Sequence, residues 1–183
     1  MAPDPLPPSR RGEGRKWARE GGEMNIAIIY YSYSGNTRQV VSILAELLRQ
    51  RGEVEELELN ALDESDSFFV QAARAFFHKQ AWIDKVSFDL RKFDLVCFGT
   101  PVWALGPAPA MNTYIDSCFG LKDKEIILFT TYGSGTGNER CLNYMQNALA
   151  QKGGQNFKRF SIQQLKVDDR EFVLATIKEI MPL

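Results

Sequence analysis

The chain has 183 residues, is 44% hydrophobic and carries a formal net charge of −1, which allows one good core and leaves no room for two large ones. Charge this close to neutral offers neither a basic face for nucleic acid nor a strongly acidic docking surface, and no apolar run reaches the roughly 18 residues of a membrane helix. Cys97, Cys118 and Cys141 show neither CxxC nor metal-ligand spacing, and His78 is the single histidine; this argues against a metal or disulfide framework and fits a reducing cytoplasm.

Residues 1–23 are rich in Pro, Gly, Arg and Glu and nearly devoid of large apolar side chains, so a disordered tail is expected. The tail lacks the apolar stretch of a secretory signal. Its arginines are offset by Asp4, Glu13, Glu20 and Glu23, so a solvated tail is favoured over an anion-binding arm. Met24 stands directly before the first strand, and the folded protein is expected effectively to begin there, as a domain over 24–183. Mass spectrometry of the native N-terminus tests that start.

Past Met24, strand-like and helix-like segments alternate. A strand at 25–31 leads into a helix at 36–51, in which Val40, Ile43, Leu44, Leu47 and Leu48 share a face and Gly52 is the expected stop. A strand follows at 54–60, alternating with glutamates as an edge strand does. The stretch from about 66 to 82 is helical in pattern, with Phe68, Phe69, Ala72, Ala73, Phe76 and Phe77 on one stripe, read as core packing. Then come a strand at 93–99, a helix at about 108–119, a strand at 125–131, a helix at 137–152, a strand at 157–162 and a helix at 170–181. The strands at 93–99 and 125–131 are continuously apolar, as central strands buried on both faces must be. Such alternation gives a parallel sheet with helices on both faces, and ligands bind beyond the carboxyl ends of its strands.

Three loops meet at that end. The first, Ser32-Tyr33-Ser34-Gly35-Asn36-Thr37, joins a buried strand to a helix start. Its hydroxyls, its glycine and the helix N-terminus, worth about half a positive charge, suit an anion without any lysine. It lacks the Gly-Lys-Ser/Thr of a nucleoside triphosphate loop and the three spaced glycines of a dinucleotide loop, so it suits one terminal monophosphate. The second loop, Gly99 to Pro109, is too rich in Gly and Pro to be helical and carries Trp103. The third, Thr131 to Gly137, has three glycines that let backbone groups approach the edge of a flat heterocycle, with Trp103 or Tyr132 available to stack on its face. A phosphorylated planar cofactor fits this set, and flavin mononucleotide (FMN) fits best.

These loops make residues 24–183 resemble the flavodoxin family. Ser32, Tyr33, Ser34, Gly35, Asn36 and Thr37 are similar to its phosphate loop, Thr100, Pro101, Val102 and Trp103 to its first flavin-ring loop, and Thr131, Tyr132, Gly133, Ser134 and Gly135 to its second. The resemblance implies a three-layer doubly wound α/β fold, a five-stranded parallel sheet in the order 2-1-3-4-5, and noncovalently bound FMN. It implies that Ser32, Ser34, Asn36 and Thr37 bind phosphate, that Trp103 flanks the ring, and that the 131–135 backbone holds its pyrimidine edge.

The departures from the family are informative. Many flavodoxins have a glycine beside flavin N5 whose peptide flips on reduction, whereas here Pro101 and Ala104 flank Val102-Trp103. Alanine resists positive φ, so Gly106 is the expected source of any flip. Ser134 replaces a stacking aromatic, which leaves one ring face open unless Tyr132 covers it. The leading reading is an FMN-binding redox protein transferring electrons at low potential between partner proteins. The alternative is a NAD(P)H-dependent FMN reductase acting on a quinone or other small acceptor, and a flavin-free binding module is a lesser one. Cys141, near a helix start, is read as a buried apolar residue in preference to an activated thiol, and His78 as a surface residue.

Overall fold

The computed structural model describes residues 23–60, 86–133 and 135–181. Residues 1–22 of the expected tail, the aromatic stripe at 66–82 and His78 lie outside the described residues, as does Ser134. Strand β1 (Met24–Tyr30) is followed by helix α1 (Asn36–Leu48) and strand β2 (Gly52–Glu58). Strand β3 (Leu95–Trp103) turns back into the two-residue strand β4 (Gly106–Pro107), followed by helix α2 (Pro109–Ser117). The chain continues through β5 (Glu125–Tyr132), α3 (Asn138–Gln151), β6 (Asn156–Gln163), a 3₁₀ turn at Gln164–Lys166 and α4 (Arg170–Ile180).

The sheet runs β2-β1-β3-β5-β6, all parallel, with β4 attached antiparallel to β3. It therefore has six strands where five were expected, and the numbering of its order changes from 2-1-3-4-5 accordingly. The extra strand comes from the stretch read as a plain loop. β3 continues past Gly99 to Trp103, and Val102 and Trp103 pair with Pro107 and Gly106. Pro101 sits on the strand opposite Thr131, near its end, where a missing N–H costs little ladder pairing.

The continuous apolar runs are explained by two cores, one on each face. Along a strand, successive side chains point to opposite faces. Ile26 and Ile28 of β1, Cys97 of β3 and Ile127 and Phe129 of β5 pack with Val40, Leu44 and Leu48 of α1 and Val173 and Ile177 of α4. Ala27, Ile29, Val96, Phe98, Ile126 and Leu128 pack on the other side with Met111, Tyr114, Leu142 and Met145 from α2 and α3. Each fully buried aliphatic side chain contributes roughly 1.5–3 kcal/mol. β2 is the exposed-face edge that its glutamates implied.

One glycine reading is corrected. Gly52 does not stop α1, which ends at Leu48 with Arg49 as its cap. It begins β2, where a Cβ would lie 2.0 Å from the Met24 carbonyl oxygen, so close backbone approach demands glycine there. No helix among the described residues is long and apolar enough to cross a membrane.

Candidate active site

At the carboxyl ends of β1, β3 and β5 lies a cavity of about 530 Å³, within the range of roughly 300–1,000 Å³ typical of small-molecule sites. The first loop contributes Tyr33, Ser34 and Asn36, the β3–β4 hairpin Pro101 to Leu105, and the segment after β5 Thr131, Tyr132, Gly133 and Thr136. A fourth segment, after β6, adds Gln164. None of these lining residues is charged.

The first loop presents the head of α1. Gly35 immediately precedes the helix with φ +89°, and nothing lies within 4 Å of where its Cβ would be, so the backbone faces open space. Ser32 Oγ accepts from the Arg38 N–H at 3.1 Å, and the Gln39 N–H donates to the Gly35 carbonyl at 3.0 Å. The N–H groups of Asn36 and Thr37 have no intrahelical acceptor, as at any helix start. The cation next to the loop in sequence is turned aside: Arg38 forks onto Glu58 (Nε to Oε2 3.1 Å, Nη2 to Oε1 2.6 Å), and the Tyr30 hydroxyl donates to Glu58 Oε2 at 3.1 Å. Burial, then the Glu58 charge, push Tyr30 up to about 12. An anion at this loop thus meets helix dipole and N–H donors rather than a free cation.

Thr37 and Thr131 share a hydroxyl–hydroxyl bond of 2.8 Å, and both are almost fully buried. Thr131 lines the cavity, yet its hydroxyl points back to α1, tying the first loop to the third. Thr100 behaves differently from expectation too. It is fully buried, accepting from the Ala108 N–H at 3.0 Å and donating to the Pro101 carbonyl at 3.1 Å. It braces the hairpin from beneath and does not line the cavity.

The hairpin tip carries the sharpest backbone feature. Ala104 and Leu105 have φ +46° and +68°, the double-positive pattern of a two-residue turn that matches strand twist and ordinarily recruits Asn-Gly. Positive φ at this turn comes from two non-glycines, Ala104 included, against the resistance expected of alanine. Such residues cost roughly 1–2 kcal/mol each. The contact that opposes this cost is Leu105 lying over Gly137, with Cδ2 2.7 Å from where a Gly137 Cβ would be. Trp103, 6% exposed, is held edge-on between Tyr31 (5.6 Å, 85°) and Tyr33 (5.5 Å, 80°). Its packing fixes one wall of the cavity.

Among the sequence candidates, the cavity gathers Tyr33, Ser34, Asn36, Pro101, Val102, Trp103, Thr131, Tyr132 and Gly133. Ser32, Gly35 and Thr37 shape the helix head behind it, and Gly135 (φ +54°) turns the third loop. Ala104, Leu105, Thr136 and Gln164 line the cavity without having been candidates. Gln164 lies beyond the last strand in a segment with no motif, and Thr136 beside glycines that drew the reading to the backbone. The cysteines take no part. Cys97, Cys118 and Cys141 are buried, and burial pushes all three thiols up, Cys118 to about 11; the start of α3 does not activate Cys141.

A parallel sheet with this crossover order and a loop-built cleft at its carboxyl edge is the flavodoxin-like architecture of flavoproteins. The chain is similar in fold to a candidate flavoprotein from Bacteroides uniformis (19% identity, 86% of this chain and 99% of that one, TM-score 0.65). It is similar also to a flavoprotein in complex with FMN from Lactobacillus acidophilus (19%, 81% and 99%, TM-score 0.58) and to an NADH:FMN oxidoreductase in apo form (15%, 87% and 91%, TM-score 0.54). No curated protein sequence matches it. The family model for NADPH-dependent FMN reductase matches residues 24–164, and the chain belongs to that family.

Proposed function

We propose that the chain binds FMN in this cleft and works as a reductase, taking electrons from NAD(P)H and passing them to a small acceptor. The residues present fit the cofactor. An open helix head with hydroxyl and amide side chains suits a phosphate, and a cavity of about 530 Å³ walled by Trp103 and backed by the Tyr132–Gly133 backbone suits a planar ring. In this reading Ser34, Asn36 and the first N–H groups of α1 hold the phosphate. Ser32 and Thr37 keep that helix head in shape through their bonds to Arg38 N–H and Thr131. Pro101 to Trp103 and Tyr132–Gly133 enclose the ring and exclude water from its inner edge.

When bound, FMN supplies hydride acceptance and donation. The observation that carries reductase over carrier is the uncharged lining of the cleft. An anionic dinucleotide reaches such a mouth without repulsion from a carboxylate, and the family of the chain points the same way. Among the described residues, the low-potential carrier reading has no structural feature of its own in support.

Anaerobic titration with NADPH and NADH, following the flavin absorption band, tests the assignment. Rapid bleaching by a nicotinamide is the expected outcome. A band that persists with both nucleotides and yields only to dithionite refutes the reductase and restores the carrier, and a chain that ignores added FMN refutes both.

A further inference from the structure

Gln164 is the one side chain that the segment after β6 sends to the cleft. The segment is fixed on both sides of it. Before it, Gln163 Nε2 donates to the Gly133 carbonyl at 3.3 Å. After it, Val167 is buried and its N–H bonds the Gln164 carbonyl at 3.3 Å, while Asp168 accepts from Gln39 Nε2 of α1 at 3.0 Å. The end of the Gln164 side chain is thereby laid beside Gly133, with Nε2 and Oε1 both 3.6 Å from where a Gly133 Cβ would be. Its amide makes no hydrogen bond to another described residue.

The Gly133 carbonyl is one of the backbone groups expected to receive the edge of the ring, and the bond from Gln163 occupies part of its accepting capacity. The neighbouring carboxamide supplies an acceptor and a donor side by side, complementary to a planar –CO–NH– edge. Two such edges come to this cleft: the imide of a flavin pyrimidine ring and the carboxamide of a nicotinamide. Proximity to the third loop favours the first.

Resting on the FMN reading above, we propose that Gln164 is a binding residue for the imide edge of the flavin, its Oε1 accepting from ring N3–H and its Nε2 donating to an adjacent ring carbonyl. It acts on the ring and not on the phosphate, so FMN and riboflavin depend on it alike.

The test is a cycle between protein and ligand. Dissociation constants for FMN and for N3-methyl-FMN are measured by flavin fluorescence on the full chain and on Gln164→Leu. Because the Gln164 side chain is exposed and bonds no other described residue, the variant keeps its melting temperature. The expected result is a loss of roughly fivefold to a hundredfold in FMN affinity, the worth of two hydrogen bonds. With N3-methyl-FMN, whose methyl group replaces the imide proton and holds the carboxamide off that edge, wild type and variant converge within about twofold. Equal losses for both flavins overturn the proposal, because the substitution then acts through the structure of the loop. An unchanged FMN constant with a raised KM for NADPH also overturns it, assigning the amide to the nicotinamide. A wild-type chain that takes up neither flavin overturns the FMN reading itself, whereas failure of this inference appears only in the comparison of variants.

Discussion

The buried pair Thr37–Thr131 gives the most direct test of how the cleft is held together. Its oxygens are 2.8 Å apart and the two residues are 1% and 3% exposed, so neither hydroxyl has water to fall back on. Thr→Val keeps the shape and removes only the hydroxyl. In either single variant the remaining hydroxyl is buried without a partner, at about 1–3 kcal/mol. In the double variant both polar groups are gone, and the residual cost falls well below the sum of the singles. With an m-value of about 2 kcal/mol/M in urea, each single lowers the midpoint by roughly 0.5–1.5 M. The four proteins are compared at equal flavin saturation, because ligand adds its own stability. A coupling energy on the order of 1 kcal/mol or more is expected. Strictly additive singles would refute the reasoning, showing that the loops are joined by packing around the threonines and not by their bond.

At the hairpin tip, Ala104→Gly relieves the cost of positive φ (roughly 1–2 kcal/mol) against about 0.4–1 kcal/mol of added unfolded-chain entropy. Net stabilisation is expected, and a lowered thermal midpoint would contradict it. In the opposite sense, Gly35→Ala places a side chain at φ +89° in open space; strain without a clash costs about 1–2 kcal/mol and weakens FMN more than riboflavin, read by fluorescence titration. Gly99→Ala drives a methyl to within 2.1 Å of the Phe129 ring, and urea denaturation should show a loss of roughly 1–3 kcal/mol. Tyr30 stands above its unfolded value of 10.0, at about 12, so its contribution to stability is complete below pH 10 and is lost as pH rises through 12. Glu58→Gln removes part of the shift, and ultraviolet titration of the phenol should move to lower pH; an unmoved titration would show burial alone at work.

Much of this architecture is legible in the sequence, because period and burial are carried by many residues at once. The run Ile26 to Tyr30 can be a central strand only if both faces are covered, and the two cores supply that cover. The hairpin escapes such reading. Ala104 and Leu105 carry no turn chemistry of their own, and their conformation depends on partners such as Gly137 that are distant in sequence. Thr131 illustrates a different limit. Its place beside the cleft follows from the loop, but the direction of its hydroxyl follows from strand parity: it shares the face of Ile127 and Phe129, toward α1. Thr100 likewise shares the face of Phe98, turned from the first loop. Gln164 belongs to a turn whose position depends on Val167 and on the Gln39–Asp168 bond, neither of which is marked by any motif.

The fork of Arg38 onto Glu58 has a consequence for the medium in which the protein works. A phosphate met by mobile lysines displaces the counterions around them, and its affinity drifts with every change of salt. At this helix head the attracting groups are peptide N–H bonds locked into the fold, and the nearby guanidinium is already matched by a carboxylate. In the proposed function, affinity for the phosphate therefore falls less steeply with salt than it would at mobile lysines, the dipole's own share still being screened, so the cleft should keep most of its hold on its occupant from dilute to saline solution.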